Sequence, residues 1–142
     1  MYPLNLALSW MKLGSTIIDQ GLIKVLAHIE RAVRQTLIEV CRGQLATHHS
    51  RKITYKELWE RHSPGRVWGR GCTHEVVRWI VNVSDHDISA NRPPLNSLVV
   101  RRDTKQPGAN WEMWHKSVEN PYKSLDHAQE ACWLYWPIKR QG

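Results

Sequence analysis

The segment from Ile53 to Trp111 constrains the fold more than any other, because it alternates helix punctuation with one short β-type run. It opens on Thr54-Tyr55-Lys56-Glu57. A threonine hydroxyl there can accept the N–H three residues on, and a glutamate at that third position can reach back to the threonine amide; this reciprocal capping box starts a helix. Leu58, Trp59 and His62 continue the helix, and Ser63-Pro64-Gly65 stops it, since proline and glycine favour turns. A second helix is predicted from Thr73 to Asn82, with Val76, Val77, Ile80 and Val81 on one side. Pro93-Pro94 then leads to an extended run, Leu98-Val99-Val100, and to a basic turn from Arg101 to Gly108. Helix, turn, helix, strand and basic loop is the order of a winged helix-turn-helix.

The flanks supply bracing. Leu22, Val25, Leu26, Ile29, Val33, Leu37 and Val40 recur at steps of three and four, which predicts an amphipathic helix over residues 18–42 ended by Gly43. Met1 to Leu13 reads as a packing arm or short first helix, too short to span a bilayer, and no transmembrane segment is expected. Residues 43–52 read as a polar linker. Trp111, Met113 and Trp114 suggest a strand or sheet edge, and Ser124 caps a final helix from Leu125 to Trp136. The expected fold is mainly α with a small β component (α+β). It forms one domain: an N-terminal arm and scaffold helix over residues 1–50, a winged-helix-like core over 51–110 and a C-terminal bracing segment over 111–142. Eight tryptophans and no phenylalanine mean that its aromatic core is built from indoles.

Charge points to a partner. The chain carries a formal +7. Residues 51–105 hold eleven Lys/Arg against six Asp/Glu, a net +5, so most of the excess lies on the central unit. Phosphate contact needs cations and helix N-termini on one face and no fixed spacing. The residues predicted to contact nucleic acid are Tyr55, Lys56, Arg66, Arg70, Arg78, Arg101, Arg102 and Lys105. Arg66 and Arg70 precede the second helix on a glycine-rich turn, where backbone amides also favour anions.

Catalytic signatures are missing. There is no phosphate-binding glycine loop, no His-Glu-x-x-His and no Gly-x-Ser-x-Gly, so no catalytic residue and no cofactor is expected. Cys72 and His74 lie two apart, a spacing that points them away from each other on a helix, and read as a packed thiol and a surface imidazole. His48-His49 lacks further ligands at helical spacing and reads as a loop pair rather than a metal site. Asp85-His86-Asp87, with Glu75, could gather a divalent ion, but reads first as a polar loop after the second helix. Cys41, Cys72 and Cys132 are odd in number and widely spaced, which suits a reduced, cytoplasmic setting.

Ile53-Thr54-Tyr55-Lys56-Glu57-Leu58 resembles the opening of the DNA-binding domain of alkylguanine alkyltransferases and alkyltransferase-like proteins, where a T-Y-x-E-[IL] helix precedes a Gly/Arg-rich turn and a recognition helix. The resemblance implies that Tyr55 helps rotate a target nucleotide and that Arg66 fills the gap left behind. Where that family has I-P-C-H-R-V-V, this chain has Pro94-Leu95-Asn96-Ser97-Leu98-Val99-Val100, without the acceptor cysteine, so alkyl transfer is not expected. The chain is also similar to a loose set of poorly characterised bacterial proteins and nuclease-linked domains with a T-Y-x-E-L…P-P-L-x-x-L-V-V…T-x-x-P-G layout, the last element matching Thr104, Pro107 and Gly108. The resemblance covers about residues 53–110. The leading expectation is a non-catalytic protein, monomer or dimer, that binds duplex DNA, in a regulator or a small defence or mobile-element role. A second is a protein-binding inhibitor or antitoxin, of anti-CRISPR type, that blocks a nucleic-acid-handling complex. A third is a divergent metal-dependent nuclease using Asp85, Asp87 and Glu75.

Overall fold

The computed structural model describes residues 25–139, so the arm at Met1–Leu13, the start of the predicted first helix and the last three residues lie outside it. Among the described residues five helices surround a two-stranded parallel sheet: α1 (His28–Cys41), β1 (Ile53–Thr54), α2 (Tyr55–His62), α3 (Cys72–Ser89), β2 (Val99–Val100), α4 (Ala109–Ser117) and α5 (Leu125–Tyr135). The mainly helical α+β class is therefore observed.

Residues 25–27 are not helical, so α1 starts later than the apolar period suggests, and Val25 is exposed. Glu30 accepts the Ala27 N–H at 2.9 Å and closes the first turn. At the other end Gly43 adopts a left-handed φ of 70°, and its N–H donates to the Val40 carbonyl while that of Gln44 donates to Glu39. This double bond pair is the cap that glycine favours after a helix. Val33, Leu37 and Val40 then bury the inner face.

The Thr54 capping box forms as expected: Thr54 Oγ1 accepts the Glu57 N–H at 3.1 Å, and Glu57 Oε1 accepts the Thr54 N–H at 2.8 Å. Ile53 pairs with Val99 and Thr54 with Val100, in parallel register, with all four residues buried. The core joins α1, α2, α3 and α5 through Val33, Leu37, Leu58, Trp59, Val76, Ile80, Val83, Leu95, Leu98 and Cys132. Trp79 is buried alongside.

Three expectations change. The second helix does not end at Asn82 but runs to Ser89, so Asp85, His86 and Asp87 are helical rather than a loop. Its inner stripe continues past Val83 through Ser84 and Asp87, which no hydrophobic period reveals. Trp111 and Trp114 lie on helix α4 rather than a strand; spaced three apart, they share one face and pack with Ala128 of α5, while Met113 is exposed. On α5 the buried side is Ala128, Gln129 and Cys132, and Tyr135 faces outward. Ser124 Oγ accepts the His127 N–H there, as expected of the cap. No described helix is long and apolar enough to cross a membrane.

Candidate nucleic-acid interface

Five chain segments, one of them the linker at His48, converge on one open groove of about 900 Å³. The N-terminus of α2 contributes Thr54, Tyr55 and Lys56, and its next turn adds Glu57 and Glu60. Trp68 and Thr73 come from the α2–α3 turn and the start of α3, Arg101, Arg102 and Asp103 from the loop after β2, and Gly108 and Asn110 from the start of α4. The capping box aims the first turn of α2 at this space, and the parallel strand pair sets the 101–108 loop beside it.

Tyr55 is the hinge of the groove wall. Its side chain is buried, and its hydroxyl accepts the Gly108 N–H at 2.9 Å and the Asn110 Nδ2–H at 2.8 Å. The 101–108 loop is further closed at its base, where the Arg101 N–H donates to the Gln106 carbonyl at 2.8 Å. Tyr55 thus ties this loop to α2. Tyr55→Phe is expected to lower stability by about 1 kcal/mol in a urea titration, because two donors lose their acceptor and are only partly exposed to water. An unchanged midpoint would show that the tie is not needed.

The predicted cations divide into engaged and available ones. Lys56 lies 4.0 Å from Glu60, and Arg101 pairs with Asp103 at 3.1 Å. Arg66 pairs with Glu75 at 3.3 Å and stacks 4.4 Å over the Trp59 ring, so its guanidinium is turned back onto the protein. Arg51 donates to the Cys41 carbonyl at 2.7 Å, and Arg92 pairs with the buried Asp87; both serve the fold. Arg70, Arg78, Arg102 and Lys105 are exposed, and none has a carboxylate partner among the described residues. Arg70 lies on the turn before α3, between Trp68 and Thr73 of the groove wall in sequence. Arg78 stands one turn beyond the exposed His74 on α3.

The groove wall also holds residues that the sequence did not assign to nucleic-acid contact: His48, Glu57, Glu60, Trp68, Thr73, Asp103 and Asn110. His48 donates its backbone N–H to Glu57 Oε2 at 2.8 Å and receives the Arg102 Nε–H at 3.4 Å, so the linker over residues 43–52 packs onto the site. Trp68, an indole among glycines and arginines, is the one of these that carried a signal.

No family model, curated protein or solved structure matches the chain. The chemistry of the site therefore rests on its geometry. Glu75, Asp85 and Asp87 do not converge. Glu75 binds Arg66, Asp85 accepts the Trp114 Nε1–H at 2.9 Å, and Asp87 binds Arg34 and Arg92. On one helix Glu75 also stands roughly 15–18 Å along the axis from the other two, at 1.5 Å per residue. Among the described residues no three His, Cys, Asp or Glu side chains are grouped to hold a metal ion. The cysteines are all buried and unbridged. Burial raises Cys41 to about 11, with the nearby Arg51 opposing, and raises Cys132 further, so neither is poised as a nucleophile.

Proposed function

We propose that the protein binds duplex DNA without catalysing a reaction, using α2 and α3 as a helix-turn-helix and the 101–108 loop as a wing. The observation that carries this reading is the set of exposed cations without carboxylate partners, Arg70, Arg78, Arg102 and Lys105, around the start of α3 and the neighbouring loop. Cations of this kind can exchange bound counterions for phosphates, which is the main source of affinity for DNA. The start of α3 adds exposed Thr73 and His74 beside amides that favour an anion. The resemblance to alkyltransferase-like proteins supports the same partner, and a regulator or a small defence or mobile-element protein fits a binding role of this kind.

The test is duplex affinity as a function of salt. Four phosphate contacts give a slope of log K against log salt of about −4. Arg70→Ala, Arg78→Ala, Arg102→Ala and Lys105→Ala are each expected to make that slope shallower by about 1 while the thermal transition stays put. A flat salt dependence in the parent protein would overturn the reading.

One observation favours the second reading, a protein-binding inhibitor or antitoxin. The groove wall balances Lys56, Arg101 and Arg102 against Glu57, Glu60 and Asp103, a mixture that suits a polypeptide better than a polyphosphate. A salt-insensitive parent that captures a nucleic-acid-handling protein instead would favour it.

A further inference from the structure

The C-terminal end of α5 carries an apolar face that the fold leaves in water. Three of the six large hydrophobic side chains exposed among the described residues, Leu134, Tyr135 and Ile138, fall within five positions of the chain, at 77%, 45% and 60% exposure. The backbone beneath them is fixed. Arg51 donates to the Trp133 carbonyl at 3.2 Å and the Trp136 carbonyl at 3.4 Å, and the Lys139 N–H donates to the Arg42 carbonyl at 3.1 Å. Tyr135 meets the Trp136 ring edge-on, with centres 4.9 Å apart. Single exposed hydrophobics are ordinary, whereas a cluster of them on a fixed backbone marks a contact surface.

Charge is ordered along the same face. Asp126, Glu130 and Leu134 follow at steps of four and so share one line on the helix. Asp126 and Glu130 are exposed, and neither has a cationic partner among the described residues. At the far end Lys139 is exposed, and Arg42 lies half-buried over the Trp136 ring at 5.1 Å; neither has a carboxylate partner among the described residues. The face therefore runs from acidic through apolar to basic.

We propose that this face is a self-association surface, on which α5 of one copy of the chain packs antiparallel against α5 of a second copy. A twofold interface presents the same patch from both sides, so the patch must complement itself. A patch acidic at one end and basic at the other does so only when the two helices run in opposite directions. Glu130 of each copy then meets Lys139 of the other, and Leu134 and Tyr135 close the centre. A uniformly acidic or basic partner would match one end of the face and oppose the other. Three apolar side chains from each copy make a small interface, so the dimer is weak, with a dissociation constant of about 10 μM. No residue of α5 lines the groove, and pairing leaves it open whatever it binds.

Sedimentation equilibrium of the full chain, from about 1 to about 100 μM, is expected to show monomer and dimer in exchange. Leu134→Lys is expected to keep the thermal transition, because Glu130 lies one turn before it and a cation suits the last turn of a helix. The same variant is expected to weaken the dimer by at least about tenfold, since it places a charge at the centre of the contact. Glu130→Lys and Lys139→Glu are each expected to weaken self-association about fivefold. Mixed together, these two variants are expected to recover it as a heterodimer, because opposite charges then meet at both ends. A parent that is monomeric throughout the range overturns the proposal. So does a dimer that Leu134→Lys leaves intact, or a pair of charge variants that do not associate when mixed. If the parent is monomeric and Leu134→Lys lowers the thermal transition, the face is covered from within its own chain, and self-association is again overturned.

Discussion

Trp59→Ala is expected to destabilise the protein by about 3–5 kcal/mol, the range for emptying a buried aromatic site. Trp59 is 1% exposed, and its ring stacks on Trp79 with centres 6.0 Å apart and planes within 11°. Trp68 meets it edge-on and the Arg66 guanidinium covers it. One indole therefore supports α2, α3 and the turn between them. A loss of this size should lower the melting temperature by about 10–15 °C for a chain of this length. Trp59→Phe should be much milder, because the indole N–H is buried without a hydrogen-bond partner and the phenyl ring removes that unsatisfied group. Both midpoints are read by calorimetry. A small effect of the alanine variant would mean that the turn is held by Cys72 and Arg66 alone. If the turn does depend on Trp59, the alanine variant should also bind duplex DNA more weakly even below its melting point.

How far this architecture was legible follows from which interactions the sequence can display. The capping box at Thr54 and Glu57 is local: both partners lie within four residues, and the helix it starts is where it was expected. The Gly43 and Ser124 caps are local in the same sense. Errors arose where polar residues occupy buried faces. Asp87 is an inner-face residue of α3 because two arginines, one from α1 and one after α3, neutralise it; neither lies within one helical turn in sequence, and the apolar period ends at Val83. Trp111, Met113 and Trp114 suggest a strand or sheet edge as a cluster, yet the spacing of three between the two indoles suits one helical face, and they lie on α4. At the candidate site, the cations were visible but their pairing was not. Lys56, Arg66 and Arg101 each meet a carboxylate whose distance in sequence ranges from two residues to nine. Tyr55 was singled out through a motif, yet its hydroxyl is used by Gly108 and Asn110, more than fifty residues later. Partners so far away in sequence cannot be read from composition.

Asp87→Asn is the second substitution expected to have a large effect. Asp87 is fully buried, and its carboxylate receives Arg34 at 2.9 Å and Arg92 at 2.7 Å. Removing the charge from one member of a buried ion pair typically costs about 3–5 kcal/mol, because the partner cation is left without its counter-charge. Here the lower end is expected, about 3 kcal/mol, since both arginine side chains keep roughly a quarter of their surface in water, at 22% and 24%. A urea titration measures it, and high salt should recover little, because a buried carboxylate is poorly screened. The control is replacement of all three charges together by Arg34→Met, Asp87→Leu and Arg92→Met, which is expected to return most of the lost stability, since apolar groups of similar volume often substitute well for a buried cluster. If the triple variant is less stable than Asp87→Asn, the triad contributes more than its own neutralisation, and its hydrogen bonds are needed to orient α1 against α3. If Asp87→Asn is within about 0.5 kcal/mol of the parent, the size of an ordinary surface substitution, the carboxylate is not what holds these helices together. In neither case should the salt slope of duplex binding change, because Arg34 and Arg92 are not among the exposed cations assigned to phosphate.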